Sequence, residues 1–285
     1  MSVNITSPLS AWEPVTPRGV AAFAYASLGR LCAVQLVVAL LAAIAIAGFL
    51  KTNWFPVVRE AIRQLPEGGE VRNQQLNWRG PAQMRLAESR FLALSVNLND
   101  NPAVGGVADV QIEFRKTQIR CRSLLGFLPM DYPGGWIIAA DRNSLEPWWG
   151  AWELPILAGV LVITVAALFL SWTLLATLYF PAVYCLSYLR DRELTWAGSW
   201  RVAGAALMPG ALFFTIGIVL YSLRGLGLVH LGIIFLLHLV IGWVYVFLVP
   251  LFLRRSTAVL ATGKNPFAST SEPQSEPKQN PPPQT

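Results

Sequence analysis

Four long apolar runs dominate the pattern of hydrophobic and polar positions. They occupy residues 31–50, 154–178, 202–221 and 226–253. A helix rises about 1.5 Å per residue, so about 20 apolar residues cross a hydrocarbon core of about 30 Å. Each run is long enough. The pattern therefore predicts four transmembrane helices, the last three of which form a membrane bundle over residues 151–253.

Apolar residues continue beyond the second run as far as Leu189, which is too far for one crossing. A straight helix that begins at Leu154 and ends at Leu189 would be roughly 50 Å long. Proline removes a backbone donor and kinks a helix, and Pro181 lies where the excess begins. We therefore expect one crossing over 154–178 and then an interfacial helix over 179–190. Two short crossings are the alternative, but no turn signal separates them.

Residues 51–150, between the first and second runs, have the pattern of a small folded domain. Val58, Ile62 and Leu65 recur at helical spacing. Apolar and polar residues then alternate, as in strands with one buried and one solvated face. The alternating stretches are 92–98, 110–114 and 119–122, and a last strand is expected over 135–140. These patterns predict an inserted α+β domain.

Basic residues are distributed unevenly among the short segments that flank the runs. With four crossings, the amino-terminal segment 1–30, the loop 190–201 and the tail 254–285 share one side, and each of the three contains at least two basic residues. The opposite short loop contains only Arg224. Cytoplasmic loops are enriched in Lys and Arg. Both termini are therefore predicted to be cytoplasmic, and residues 51–150 to be extracytoplasmic.

The two ends of the chain carry further signals. Residues 254–285 are rich in Pro, Ser, Gln and Glu, a composition that cannot offset chain entropy by burial, so we expect a disordered tail. A cleaved signal peptide is the alternative for the first run, because Ala45-Ile46-Ala47 resembles a processing site. The long leader before this run and the length of the run itself favour an uncleaved anchor.

Composition narrows the class of protein. Charged residues make up 13% of the chain, against about 25% in soluble domains. The formal net charge is +6, but the basic residues flank the apolar runs and do not form the stripe that nucleic-acid-binding proteins show. We therefore expect the lipid bilayer as a partner and no nucleic acid. A second copy of the chain, or another envelope protein, is a candidate protein partner.

The side chains offer little chemistry. The three cysteines are scattered, and no common metal-binding or phosphate-binding motif is present. The sequence therefore predicts no catalytic residue, no cofactor and no metal site. Trp148, Trp149 and Trp152 precede the second run, where indole rings typically anchor a helix at the membrane interface. A platform for stacking a ligand is the alternative function for these rings.

His230 and His238 both lie inside the fourth run. Ionisable side chains at membrane depth are costly and are often functional. Two residues eight positions apart on a helix are separated by about 12 Å along its axis, which is too far for them to share one metal ion. We interpret both histidines as weak candidates for intramembrane polar contacts, and a proton relay is the alternative.

Two sequence stretches have counterparts in known membrane proteins. One is the helix end at 61–66 (Ala-Ile-Arg-Gln-Leu-Pro), which lies between an anchor and a β-rich domain. The other is 194–200 (Leu-Thr-Trp-Ala-Gly-Ser-Trp), which leads into 207–210 (Leu-Met-Pro-Gly). The arrangement around 61–66 resembles an uncharacterised family of bacterial membrane proteins, and the stretch from 194 to 210 is similar to the Yip-type membrane domain. This resemblance implies a location in the bacterial inner (plasma) membrane and supplies no catalytic residues.

The predicted fold is a mainly α-helical integral membrane protein with four transmembrane helices and an inserted small α+β extracytoplasmic domain. The leading hypothesis for its function is a non-enzymatic protein whose outer domain binds or senses a partner. A component of a small-molecule or ion/proton transport system is the alternative, motivated by the two histidines. An intramembrane enzyme that uses Ser199 ranks third, because both histidines are predicted to lie far from this residue.

Overall fold

The computed structural model describes residues 12–99, 107–124 and 126–255. Within these ranges the chain forms a helical bundle and a β-rich domain, residues 55–141, that packs on one end of it. We name this the outer domain after its predicted location. The predicted disordered tail, from residue 256 onward, lies outside the described residues. The helices are α1 (Pro17–Ala22), α2 (Leu28–Phe49), α3 (Phe55–Arg63), α4 (Arg142–Leu189), α5 (Trp196–Ala206), α6 (Met208–Ser222) and α7 (Leu228–Leu248).

Four helical segments of the described chain are long and apolar enough to cross a membrane. They are Leu28–Arg63, Arg142–Leu189, Trp196–Ser222 and Leu228–Phe252. The first three contain the first three apolar runs, and the fourth lies within the fourth run, so the expected number and order of long helices are confirmed. Their ends differ from the sequence-based boundaries, and these differences determine how the bundle meets the outer domain.

The first long helix has no boundary at residue 51. After α2 the backbone continues through one π-helical stretch, Leu50–Trp54, and then into α3. Short π-helical stretches occur mostly as single turns inside α-helices. The predicted separation between a crossing over 31–50 and a domain that begins at residue 51 is therefore wrong at the level of the backbone. The same helical path leads from the bundle into the outer domain.

The second long helix is also longer than predicted. Asp141 caps the start of α4 by accepting a hydrogen bond of 2.9 Å from the Ser144 N–H, and the helix then continues through Pro181 to Leu189. The predicted end at residue 178 and the separate interfacial helix over 179–190 are therefore wrong. Proline leaves one carbonyl without its donor, and packing against neighbouring helices can accommodate that loss. Here Val183, just beyond Pro181, is fully buried in the bundle core.

The third run is divided where the sequence predicts one helix over 202–221. Helix α5 ends at Ala206 and α6 begins at Met208. Pro209 lies in the first turn of α6, where its missing N–H costs nothing. The fourth run forms α7 and then a short 3₁₀ turn, Val249–Phe252.

The bundle is packed around α2, which lies against α4 and α6. Small residues allow close approach, and Ala39 and Ala43 on α2 are fully buried. Gly210 on α6 faces α7 so closely that a Cβ atom there would overlap the His238 carbonyl oxygen. Gly210 therefore permits close packing of α6 against α7.

The outer domain contains two sheets. The five-stranded sheet has the order β3 (Gln83–Glu88), β4 (Leu92–Asn97), β5 (Val110–Phe114), β6 (Gln118–Ser123) and β7 (Gly126–Asp131). Strands β4 and β5 are parallel, and the other neighbours are antiparallel. The three-stranded sheet has the order β2 (Gln75–Asn77), β1 (Glu70–Arg72) and β8 (Ile138–Ala139).

Alternation along β4 and β5 places apolar side chains on the face that α3 covers. Leu92, Leu94 and Val96 belong to the buried core of this domain, and Val110 and Ile112 pack against it. The predicted α+β character and the strands within 92–98, 110–114 and 119–122 are confirmed, and the last two of these strands form an antiparallel hairpin. The strand expected over 135–140 is shorter than predicted, since only two residues of it pair, and they join the smaller sheet.

Candidate functional site

An apolar cavity of about 280 Å³ lies in the outer domain. Helix α3, both sheets and the first turn of α4 enclose it. The residues that line it include Ile62 on α3, Leu86 and Leu94 on the larger sheet, Ile138 on β8 and Leu145 on α4. The cavity thus lies where all the elements of the domain meet.

Small side chains leave this space open. Ala61 on α3, Ala139 on β8 and Ala140 face the cavity, and each lacks the bulk that would fill it. Protein interiors are close-packed, and voids larger than a water molecule are few. An apolar cavity stays dry because water finds no hydrogen-bond partners there. Such a space is suited to an apolar ligand.

The polar groups on the cavity wall are already used by the fold. The Tyr132 hydroxyl donates a hydrogen bond of 2.9 Å to the Arg115 carbonyl oxygen, and burial raises the pKa of this phenol above its ordinary value. The Trp78 indole N–H donates a bond of 2.9 Å to the Pro81 carbonyl oxygen. A ligand in this cavity would therefore contact mainly hydrocarbon groups of the wall.

A buried charged cluster lies on the opposite face of the larger sheet. Glu113 Oε1 accepts hydrogen bonds from Asn97 Nδ2 at 2.7 Å and from Arg115 Nε at 3.1 Å. Glu113 and Arg115 are both buried. A buried charge is tolerated when it is paired and hydrogen-bonded, so this cluster acts as a structural support. In the described part of the chain, no three His, Cys, Asp or Glu side chains are grouped so that they could hold a metal ion.

Polar contacts join the segment just before β4 to the loop between α6 and α7. Arg90 donates from Nη1 to the Arg224 carbonyl oxygen at 3.0 Å and from Nη2 to the Leu226 carbonyl oxygen at 2.7 Å. Beside them, Asn53 Nδ2 donates to Ser222 Oγ at 3.1 Å. These contacts hold the domain in place relative to the helix ends.

A salt bridge and an aromatic contact connect the two helices that lead into the outer domain. Arg59 Nη2 on α3 lies 2.7 Å from Glu153 Oε2 on α4. The Phe55 and Trp149 rings meet edge to face, with their centroids 5.2 Å apart. The chain therefore enters and leaves the domain along two adjacent helices.

The two histidines lie in different cavities. His238 borders a cavity of about 190 Å³ inside the bundle, together with Ser171 and Thr215. Its ring stacks on Phe214 with centroids 5.2 Å apart, and its Nδ1 is in contact with the Phe235 carbonyl oxygen. His230 lies at the outer end of α7 and borders a separate cavity. The structure does not bring the two histidines into one site.

The three tryptophans before the second run do not share one environment. Trp148 and Trp152 are half exposed, and their rings stack with centroids 6.3 Å apart. Trp149 turns the other way, toward Phe55 on α3. The role of these rings as interfacial anchors stays a prediction.

Ser199 is not placed as a nucleophile. Its side chain is fully buried, and its hydroxyl donates a hydrogen bond of 3.0 Å to the Thr195 carbonyl oxygen. Thr195 in turn caps the start of α5 by accepting from the Gly198 N–H at 3.0 Å. The pair supports the local helix start and leaves no hydroxyl available for attack on a substrate.

Comparison with known proteins assigns no family. No protein-family model matches the chain, and no curated protein or solved structure gives a significant match. The resemblance to bacterial inner-membrane proteins and to the Yip-type domain therefore stays a prediction.

Sequence patterns did not reveal the apolar cavity or the junction at Arg90. The only signals were the small residues on α3 and β8 and one arginine before β4.

Proposed function

We propose that the protein is an integral membrane protein whose outer domain binds an apolar ligand in the 280 Å³ cavity. The cavity is the observation that carries this proposal. Four long apolar helical segments support the membrane placement. On α4, large apolar side chains such as Val162, Ile163 and Leu170 are strongly exposed. Such a surface is costly in water and is stable in contact with lipid chains.

The chemistry of the cavity favours one hydrocarbon chain as the ligand. A dry apolar cavity of about 150 Å³ accepts benzene, so by proportion this cavity has room for about ten carbon atoms. The volume of a ligand pocket is usually about 300 Å³ or more, and this cavity lies close to that lower limit. Because Tyr132 and Trp78 already donate to carbonyl oxygens, a polar ligand group would remain at the cavity mouth. A neutral chain derived from a lipid meets these conditions.

Both helices that border the cavity lead into the bundle, which favours a sensing role over storage alone. Val58 and Ile62 belong to α3, which continues through the π-helical stretch into α2. Leu145 belongs to α4, which continues to Leu189 without a break. A ligand that moves either wall of the cavity therefore acts directly on a helix of the bundle.

Binding of a neutral ten-carbon alcohol tests the cavity. Ligand-observed NMR would measure its affinity for the purified full chain in detergent. Ala61→Phe places a ring in the cavity, and we expect it to weaken binding by about tenfold or more, which corresponds to about 1.4 kcal/mol. Ala151→Phe, on the exposed surface of α4, is the matched control and should bind like the wild type.

A second variant covers the case in which Ala61→Phe does not fold. Leu94→Ala enlarges the cavity, so the preferred alcohol should become longer than in the wild type. Equal affinity of the wild type, Ala61→Phe and Ala151→Phe would contradict the proposal. The membrane placement has its own test, in which reporter fusions after Gly150 and after Thr262 should report opposite compartments.

A transport function is the second candidate, and it is favoured by the cavity beside His238 inside the bundle. If His238 relays protons, both His238→Gln and His238→Ala should abolish function while folding persists, since neither residue titrates near neutral pH. If His238 only contributes packing and polar contacts, Gln should largely preserve function. Rescue of a deletion phenotype by His238→Gln would remove the transport hypothesis.

A further inference from the structure

The tip of the β6–β7 hairpin lies beside the outer end of α7. Arg122, Ser123 and Leu124 border a cavity of about 610 Å³, and Leu228 and His230 of α7 border it from the other side. Helix α7 is one of the four segments that are long and apolar enough to cross a membrane. In the proposed membrane placement, the hairpin tip is therefore at the level where the outer surface of the bilayer begins.

Three described residues at this tip are apolar and exposed. Leu124, Phe127 and Leu128 are 63%, 66% and 61% exposed. Gly126 turns the chain with φ +115°, a conformation that glycine adopts readily and other residues do not. Exposed apolar groups of this size on a folded domain mark a surface that meets a protein or a membrane. The position beside the start of α7 favours the membrane.

Arginine accompanies the apolar side chains at the tip. The Arg120 guanidinium lies 5.4 Å from the centroid of the Phe127 ring. Arg122 borders the cavity, is about one-third exposed and is 3.7 Å from Glu113 Oε2. Arginine has five N–H donors, and one long contact leaves most of them for a further acceptor. The nearby Asp109 carboxylate already accepts a hydrogen bond of 2.8 Å from Tyr221.

We propose that this cavity binds the phosphate group of an outer-leaflet phospholipid, with Arg122 as the main donor. Leu124 and Phe127 then lie at the upper ends of the acyl chains, where apolar side chains gain by leaving water. Arginine matches phosphate because its planar group donates two parallel hydrogen bonds. This site differs from the apolar cavity in every lining residue. The inference rests on the proposed membrane placement and not on the apolar ligand.

Native mass spectrometry of the full chain in detergent tests the site with phosphatidylglycerol as the probe. Arg122→Gln should reduce the bound phospholipid by about tenfold, the effect of losing a charged hydrogen bond. The double variant Leu124→Ser/Phe127→Ser should also reduce it. Two matched controls should retain wild-type binding. They are Arg72→Gln, an exposed arginine of the smaller sheet, and Trp136→Ser/Ile137→Ser, an equally exposed apolar pair outside the hairpin.

Two further probes separate lipid binding from simpler causes. Diacylglycerol has the same chains without phosphate and should bind weakly, and inorganic phosphate should not displace the phospholipid. Equal binding by Arg122→Gln and Arg72→Gln, equal binding of diacylglycerol, or displacement by free phosphate would each overturn the inference. If Arg122→Gln does not fold, Arg122→Lys keeps the charge and should retain part of the binding, and complete loss in a folded Arg122→Lys also counts against the site.

Carbonate extraction of membranes that contain the wild-type protein tests the membrane placement separately from the headgroup site. Release of the protein would contradict the membrane placement itself. Retention in the membrane, combined with unchanged phospholipid binding in Arg122→Gln, would contradict only the headgroup site. The affinity for the ten-carbon alcohol should be the same in Arg122→Gln and the wild type, because Arg122 does not border the apolar cavity.

Discussion

Tyr221 and Asp109 join the bundle to the outer domain. The Tyr221 hydroxyl, in the last turn of α6, donates a hydrogen bond of 2.8 Å to Asp109 Oδ2, directly before β5. The Tyr221 ring also meets Phe91 and Phe49, with centroid distances of 4.9 Å and 5.4 Å. One side chain therefore contacts the bundle helix α2 and the two segments that lead into strands β4 and β5.

Removing this hydroxyl should loosen the junction without removing the ring contacts. Tyr221→Phe leaves the Asp109 carboxylate without this donor, and hydrogen bonds to charged groups contribute about 1.5–3 kcal/mol. We expect a loss of this size in the free energy of unfolding of the purified full chain. Tyr188→Phe, at a strongly exposed position of α4, should change stability little. Equal losses in the two variants would show that the Asp109 bond does not matter.

Burial of the Tyr132 phenol should make the free energy of unfolding fall in alkaline solution. Burial raises the pKa of its phenol above the ordinary value of 10.0, so the unfolded chain ionises first as the pH rises. The stabilising contribution is complete below about pH 10 and is lost as the pH rises toward the higher pKa of the folded state. Unfolding measured across this range should show a steeper loss for the wild type than for Tyr132→Phe. Parallel curves would contradict this explanation.

The buried carboxylate of Glu113 should be far more important than an exposed one. Glu113→Gln removes the charge that Arg115 contacts at 3.0 Å, and breaking a buried pair costs about 3–5 kcal/mol. Glu60→Gln disrupts the exposed pair with Arg63, and such pairs contribute about 0–1 kcal/mol. Denaturant unfolding of both variants measures the difference. Similar midpoints would mean that the Glu113 cluster is not a structural support.

The close contact between α6 and α7 leaves no room for a side chain at Gly210. A Cβ atom there would overlap the His238 carbonyl oxygen, so Gly210→Ala must push the helices apart, and overpacking of this kind costs about 1–3 kcal/mol. Gly159→Ala on α4 is the control because a Cβ atom there meets nothing within 4 Å. That change should stabilise the helix by up to about 1 kcal/mol. Thermal unfolding in detergent distinguishes the two, and a stable Gly210→Ala would refute the contact.

Local patterns explain which parts of the fold could be predicted. Long apolar runs and the alternation along β5 and β6 are periodic, so they could be identified without knowledge of their neighbours. Strand β7 was missed because its residues are all exposed, and exposure on both faces gives no alternation. The continuation of α4 past Pro181 was missed because packing of Val183 overrides the local effect of proline.

The cavities could not be predicted from the sequence, because a cavity is the space left after distant segments have packed. The apolar cavity is bounded by residues as far apart as Val58 and Leu145. No local pattern records that Ala61 and Ala139 face the same space. In contrast, the placement of His230 and His238 apart from each other followed from helical geometry alone, and the structure puts them in different cavities.

The close approach of α3 and α4 acts on the outer domain as a covalent crosslink would. The packing of α3 against α4, which includes the Phe55–Trp149 contact and the Arg59–Glu153 salt bridge, holds together the two helices between which residues 64–141 are inserted. Joining the ends of a chain of roughly 80 residues costs about 4 kcal/mol of entropy, and in the full chain the packed helices already hold these two ends together. An excised outer domain lacks that contribution. Residues 51–150 alone, which keep α3 but lack Glu153, should therefore unfold at a lower denaturant concentration than the same residues in the full chain.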